Sequence, residues 1–314
     1  MESKYTAALL GAGIGGWLLT PGMRLHLRSP WPWAGGTVAL LVFLPNVLWN
    51  AGHGWASFAK QGGRTADWNP GRAVRFLGEL VAGQAGLATP VIAVLFVAGV
   101  AAAARRWQDP RAGLLAALVL PGAAVFLEHA VGDRVQANWA AILYPGAALA
   151  AGGLATRWWR AGAALGFVLT GLLYVQATLA PFALPRGLDP TRRMAGWEQL
   201  TVEAGAAARR EGAAFLGSEE YGTAALLAWW WRGQPLTVIA AGARWRLFAL
   251  PAPGEVPPGL LLLNGRRQEG PDAAAWQDVL LLGTVERGPG LETFRIYRVT
   301  PRAGAPAAVL PPYR

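Results

Sequence analysis

Six apolar stretches, each 18 to 21 residues long, occupy about residues 6–23, 33–50, 87–104, 112–130, 139–156 and 161–181. A hydrocarbon core about 30 Å thick is crossed by roughly 17–25 helical residues, and helix is favoured because lipid offers no partner to an exposed peptide group. The spacing therefore predicts about six membrane-spanning helices within residues 1–181. The first, third, fifth and sixth stretches are rich in Gly and Ala, which lets helices approach closely, so a tight bundle is expected. Pro45, Pro90, Pro121 and Pro145 lie within or at the ends of spans, where neighbouring helices can satisfy the freed carbonyls. Trp31, Trp33, Trp49, Trp107, Trp139, Trp158 and Trp159 fall near span ends, as in an interfacial aromatic belt.

Composition supports this class. With 54% hydrophobic and only 15% charged residues over 314, the chain is too apolar for an ordinary soluble domain. A net charge of +10 raises the question of nucleic acid, but the arginines fall largely beside apolar spans, a topology pattern, and no nucleic-acid partner is expected. Cysteine is absent, which excludes disulfides and thiolate metal sites. His26, His53 and His129 lack ligand spacing, so no metal site is expected, and a need for a divalent cation is left open.

Short loops set the orientation. Arg24 and Arg28 follow the first span, Arg105, Arg106 and Arg111 the third, and Arg157 and Arg160 join the last two. Loops of that density belong on the cytoplasmic side. The segment 51–86, the loop 131–138 and the chain after 181 are then expected outside, on the periplasmic face of a bacterial inner membrane. A signal peptide over the first 20 residues is the weaker reading: Glu2 opposes a basic n-region, and no small-x-small cleavage site precedes Pro21.

After Pro181 the pattern changes. Residues 184–190 form a Pro- and Gly-containing linker, and a small soluble α/β domain is expected over 182–314. Gly196–Gly212 reads as an amphipathic helix. Ser218, Glu219 and Glu220 read as the cap and first turn of a second helix, extending through Trp231. Strands are expected at Ala213–Gly217, Leu236–Ala240, Gly259–Asn264, Val279–Val285 and Glu292–Val299, with a frayed last dozen residues.

The densest chemistry lies at 43–64, where an apolar run ends in Asn46, Asn50, His53, Trp55, Phe58, Lys60, Gln61 and Arg64. Together with Ser3-Lys4-Tyr5-Thr6, Gly83-Gln84 with Pro90, Gln136-Ala137-Asn138-Trp139, Asp189–Trp197 and Ser218–Tyr221, this segment resembles the bacterial glycosyltransferases of family 39. These are protein-mannosyltransferase-like membrane enzymes of the GT-C type. The resemblance covers nearly the whole chain, with Ala140 standing where a proline is usual after Asn-Trp.

The resemblance implies transfer of a sugar from a polyprenyl-phosphate donor to a lipid, glycan or protein acceptor outside the membrane. Lys4, Lys60, Arg64 and Arg134 are then candidates for the donor phosphate, with Arg72 and Arg75 also within reach of the headgroup level. His53, Trp55, Gln61, Asn138 and Trp139 are candidates for the sugar or acceptor. Plainer readings stand beside each: cations that snorkel to headgroups, a histidine capping a turn, aromatic residues that anchor the interface. Glu128 and His129 read either as an acid–base pair or as a solvated helix end.

In such enzymes the acidic catalytic base lies in a transmembrane half upstream of the Ser-Lys-Tyr-Thr position, and only Met1 and Glu2 precede it here. No residue is assigned as catalytic. The expectation is a C-terminal portion, incomplete as a catalyst alone, whether as a fragment, through a mis-called start or as the partner of a separately encoded half. The alternative is a non-catalytic membrane scaffold or partner subunit whose outer domain binds a glycan or protein. A transporter is weaker, because no intramembrane charged pair marks a pathway.

Overall fold

The computed structural model describes residues 5–61, 69–184, 189–231 and 235–310. The chain divides into two compact units, Met1–Leu172 and Leu173–Arg314.

The first unit is helical: α1 Ala7–Leu18, α2 Pro30–Gly52, α3 Ala56–Gln61, α4 Pro70–Ala88, α5 Pro90–Arg105, α6 Pro110–Gly132 and α7 Tyr144–Gly152, followed by α8 Trp158–Leu179, which runs on into the second unit. One local code starts four of these helices. Ser29, Asn69, Thr89 and Asp109 each precede a proline, and each side-chain oxygen accepts a backbone N–H of the first turn. The cap satisfies a donor that has no partner within the helix, and proline at the first position removes another.

Among the described residues three helices, α2, α6 and α8, are long and apolar enough to cross a membrane, and a fourth span arises if α4 and α5 count as one. The expected span 87–104 corresponds to α5, which starts only at Pro90: α4 and α5 meet at 106° across Thr89, whose φ is +66°. A residue before proline is disfavoured in the helical region, and a β-branched residue at positive φ is uncommon. Within the segment 51–86, expected outside, Pro70–Ala88 is helical and buries Ala73, Phe76 and Leu80. The expected span 6–23 holds the 12-residue α1, followed by a 3₁₀ turn at Arg24–Arg28. The expected span 139–156 holds a 3₁₀ segment, Ala137–Leu143, and the nine-residue α7.

Small residues set the closest approaches. A Cβ on Gly13 of α1 would lie 2.1 Å from the Ala117 carbonyl oxygen of α6, and one on Gly99 of α5 2.4 Å from the Ala151 nitrogen of α7. At both contacts, backbone packs on backbone. By contrast α2 and α8 present most of their apolar surface outward, with Leu40 67% and Phe167 82% exposed.

In the second unit, α9 Trp197–Arg210 and α10 Tyr221–Trp230 accompany a six-stranded sheet of β1 Phe215–Ser218, β2 Thr237–Ala241, β3 Gly259–Asn264, β4 Trp276–Glu286, β5 Thr293–Pro301 and β6 Ala307–Leu310. The order is β4-β5-β3-β1-β2-β6, with β1 parallel to β2 and β3 and the remaining pairings antiparallel. Leu216, Val238, Leu260 and Leu262 pack with Leu200, Ala204 and Leu227 of the helices. Phe215, Ile239, Leu261 and Leu263 pack with Trp276 and Tyr297 in a second cluster. Burial on both faces explains why β3 reads as an uninterrupted apolar run.

Two expectations change here. Ala307–Leu310, expected to fray, pairs with β2 as an edge strand. The residue that caps α10 is Glu220, with no side-chain cap bond, while the Ser218 hydroxyl donates to the Leu262 carbonyl at 2.9 Å and ties β1 to β3. The turn into this unit is held by Arg287, 1% exposed, whose guanidinium donates to the carbonyls of Arg192, Arg193 and Ala195 and pairs with Glu292.

Candidate functional site

The polar groups of the first unit concentrate where α2 ends, α4 passes and α6 ends. The Tyr5 hydroxyl donates to Asn46 Oδ1 at 2.9 Å and accepts from Asn50 Nδ2 at 3.2 Å. Asn50, fully buried, also accepts the Ser57 N–H at 3.1 Å through Oδ1, which anchors α3 to α2. One amide thus fixes the amino-terminal segment, the end of α2 and the start of α3. A buried amide satisfied on both its ends makes such a junction rigid.

The antiparallel packing of α1 on α6, with Leu9 near Gly122 and Gly13 on Ala117, carries the Tyr5–Thr6 end toward the carboxyl-terminal turn of α6. Among the described residues, the Thr6 hydroxyl and His129 Nε2 are both buried without a hydrogen-bond partner. Buried polar groups are ordinarily satisfied by protein or by water.

The second cluster is charged. Arg134, after α6, contacts Glu79 of α4 through two hydrogen bonds of 2.6 and 2.9 Å, and Arg75 lies 3.4 Å from the same carboxylate. Both guanidinium groups face the Phe76 ring, at 5.0 Å for Arg75 and 5.9 Å for Arg134. Gln84 donates to the Ala137 carbonyl at 3.0 Å and accepts from the Tyr144 hydroxyl at 2.8 Å, which docks the Ala137–Leu143 turn against α4.

The residues singled out from the sequence distribute as follows. Arg134 joins the charged cluster, already paired with Glu79. Asn138 is exposed on the 3₁₀ turn, and the Trp139 ring lies 5.9 Å from that of His129. His53 takes the capping arrangement: its Nδ1 lies 2.7 Å from the Trp49 carbonyl and its ring stacks on Trp49 at 4.2 Å. Trp55, at φ +55° and 48% exposed, meets the Phe58 ring edge-on. Lys60 and Gln61 close the backbone of α3. Lys4 and Arg64 lie outside the described residues. No hydrogen bond joins Glu128 to His129 among the described residues. Glu79 was missed because nothing local distinguishes it: its partner Arg134 is 55 positions away.

The family model described as dolichyl-phosphate-mannose-protein mannosyltransferase matches residues 1–49, which takes in α1, most of α2, Tyr5 and Asn46. No curated protein and no solved structure matches the chain. Apolar helices of bilayer length together with this match mark a membrane protein with a glycosyltransferase-like amino-terminal segment.

Proposed function

We propose that the chain takes part in transferring a sugar from a polyprenyl-phosphate donor to an acceptor outside the membrane, and that it supplies the donor-binding side of that site. The match over residues 1–49 carries this reading, because it takes in Tyr5 and Asn46, two of the three members of the Tyr5–Asn46–Asn50 junction. In this reading the donor phosphate is held by cations at the headgroup level, Lys4, Lys60, Arg64 and Arg134. These cations also stabilise the charge that develops as the phosphate leaves. Asn138, Trp139 and Gln61, with the Thr6 hydroxyl and His129 Nε2, face the sugar or the acceptor. Trp55 offers a stacking surface beside them, and His53 orients Trp49.

The reaction also needs a base to take the acceptor hydroxyl proton. Both Glu79 oxygens are engaged by guanidinium groups, which leaves that carboxylate poorly placed to accept a proton. The base is then a carboxylate other than Glu79, on this chain or on a partner subunit. The second unit is then an extracytoplasmic domain.

The test is equilibrium binding of a polyprenyl-phosphate sugar to the purified full chain, followed by a transfer assay alone and with a co-expressed acidic-loop partner. Donor binding without turnover alone, and turnover with the partner, is the expected result. A chain that binds no donor is a scaffold, and a chain that turns over alone holds its own base.

A further inference from the structure

A cavity of about 280 Å³ opens between the end of α5, the start of α6 and the end of α7. The 23 residues of α6 put roughly 35 Å between this cavity and the Arg134–Glu79 cluster beyond its other end. Its walls are apolar and small, with Gly99, Ala102 and Ala103 from α5 facing Leu115 and Ala150. Leu149, another lining residue, is 66% exposed, so the cavity opens sideways along α7.

The rim is charged and unevenly paired. Asp109 Oδ1 accepts the N–H groups of Arg111 and Ala112 at 2.9 and 3.2 Å, and Oδ2 pairs with Arg106 at 3.1 Å. That carboxylate is taken up in capping α6 and steering Arg106. The Arg111 and Arg105 guanidinium groups make no ion pair among the described residues. Arg106 and Arg111 against Asp109 leave one net positive charge on the rim, and Arg105 adds a second beside it.

We infer that this cavity holds an anionic phospholipid, with its phosphate between Arg106 and Arg111 and its acyl chain along Leu115, Leu149 and Leu154. Guanidinium groups bind phosphate through paired hydrogen bonds, and basic pockets between membrane helices take acidic headgroups. The apolar side opening suits a lipid rather than a soluble anion, which would leave those walls without a partner. The neighbouring Trp107, 49% exposed, is of the type that settles at the headgroup level, and α6 is itself long enough to span. A lipid there would bridge α5, α6 and α7 on the arginine-rich side. The inference is independent of any sugar transfer.

Native mass spectrometry of the purified full chain can test it, with phosphatidylglycerol, phosphatidylcholine or soluble glycerol 3-phosphate added in turn. Phosphatidylglycerol should bind at a roughly tenfold lower concentration than phosphatidylcholine, without competition from glycerol 3-phosphate. The Arg106→Ala/Arg111→Ala double variant should lose that preference, and the Arg106→Lys/Arg111→Lys variant should keep part of it. Ala102→Phe, which fills the cavity with its charges intact, should lose binding even if the double variant fails to fold. Equal binding of the two lipids, competition by glycerol 3-phosphate, or preference retained in Ala102→Phe would each overturn the inference.

Discussion

The Arg134 guanidinium clasps the Glu79 carboxylate through two hydrogen bonds, 2.6 and 2.9 Å long, and so ties the segment after α6 to the middle of α4. Both side chains are more than a third exposed, at 49% and 36%, so the pair adds little to stability. In the proposed function its consequence is for binding, because a donor phosphate would compete with Glu79 for the same guanidinium.

Arg134→Ala is accordingly expected to weaken polyprenyl-phosphate binding roughly tenfold, and Glu79→Gln to strengthen it severalfold by removing the competing charge. Titration of the full chain with the donor checks both. Equal affinity in the native chain and the two variants would remove Arg134 from the donor-binding set.

Asn50 is fully buried and bonded to both the Tyr5 hydroxyl and the Ser57 N–H. Asn50→Leu leaves those groups without a partner and is expected to cost about 1–3 kcal/mol, against about 1 kcal/mol for Tyr5→Phe. Because the two changes remove a shared bond, the double variant should lose less than the sum. Thermal unfolding in detergent measures all three.

Gly13 and Gly16, three positions apart on α1, should respond oppositely. A Cβ at Gly13 meets backbone 2.1 Å away, whereas one at Gly16 meets nothing within 4 Å. Gly13→Ala is expected to destabilise by about 1–3 kcal/mol as α1 is pushed off α6. Gly16→Ala should be neutral or stabilise by up to about 1 kcal/mol through helix propensity. Parallel unfolding curves of the two variants decide it, and equal shifts would contradict the α1–α6 contact.

Acid should loosen the second unit through Glu292. Burial pushes its carboxyl up, but the hydrogen bond and charge of Arg287 outweigh that and hold the pKa below the ordinary glutamate value. A depressed pKa means the stabilisation is fully present above the unfolded-chain value and is lost as pH falls through the folded one. The loss should therefore begin below about pH 4.5. Glu292→Gln should flatten that acid limb. Arg287→Met should cost about 3 kcal/mol or more at neutral pH, since the carbonyls of Arg192, Arg193 and Ala195 then lose their donor. Tryptophan fluorescence unfolding across pH reads out both variants.

Much of the secondary structure was legible in particular residues. The apolar stretches 33–50 and 112–130 fall within α2 and α6, and β3 falls on Gly259–Asn264 as its apolar run predicts. Other features were not. The 106° turn at Thr89 lies in an apolar stretch whose hydropathy continues through it, and α4 falls in a stretch too polar to read as a span. Ala307–Leu310 looks like a frayed tail until β2 offers it a ladder. Of the site, the sequence singled out Arg134, Asn138 and Trp139, but not Glu79, Thr6 or the His129 orphan nitrogen.

Bilayer-length apolar helices and a carboxyl-terminal α/β domain are written in local patterns, because hydropathy, caps and breakers act over neighbouring residues. Which helices bend, which arginines are neutralised and which polar atoms are left without partners among the described residues is set by packing. Those outcomes rest on pairs such as Glu79 with Arg134 and Tyr5 with Asn50, far apart along the chain, whose energies exist only once the helices have packed.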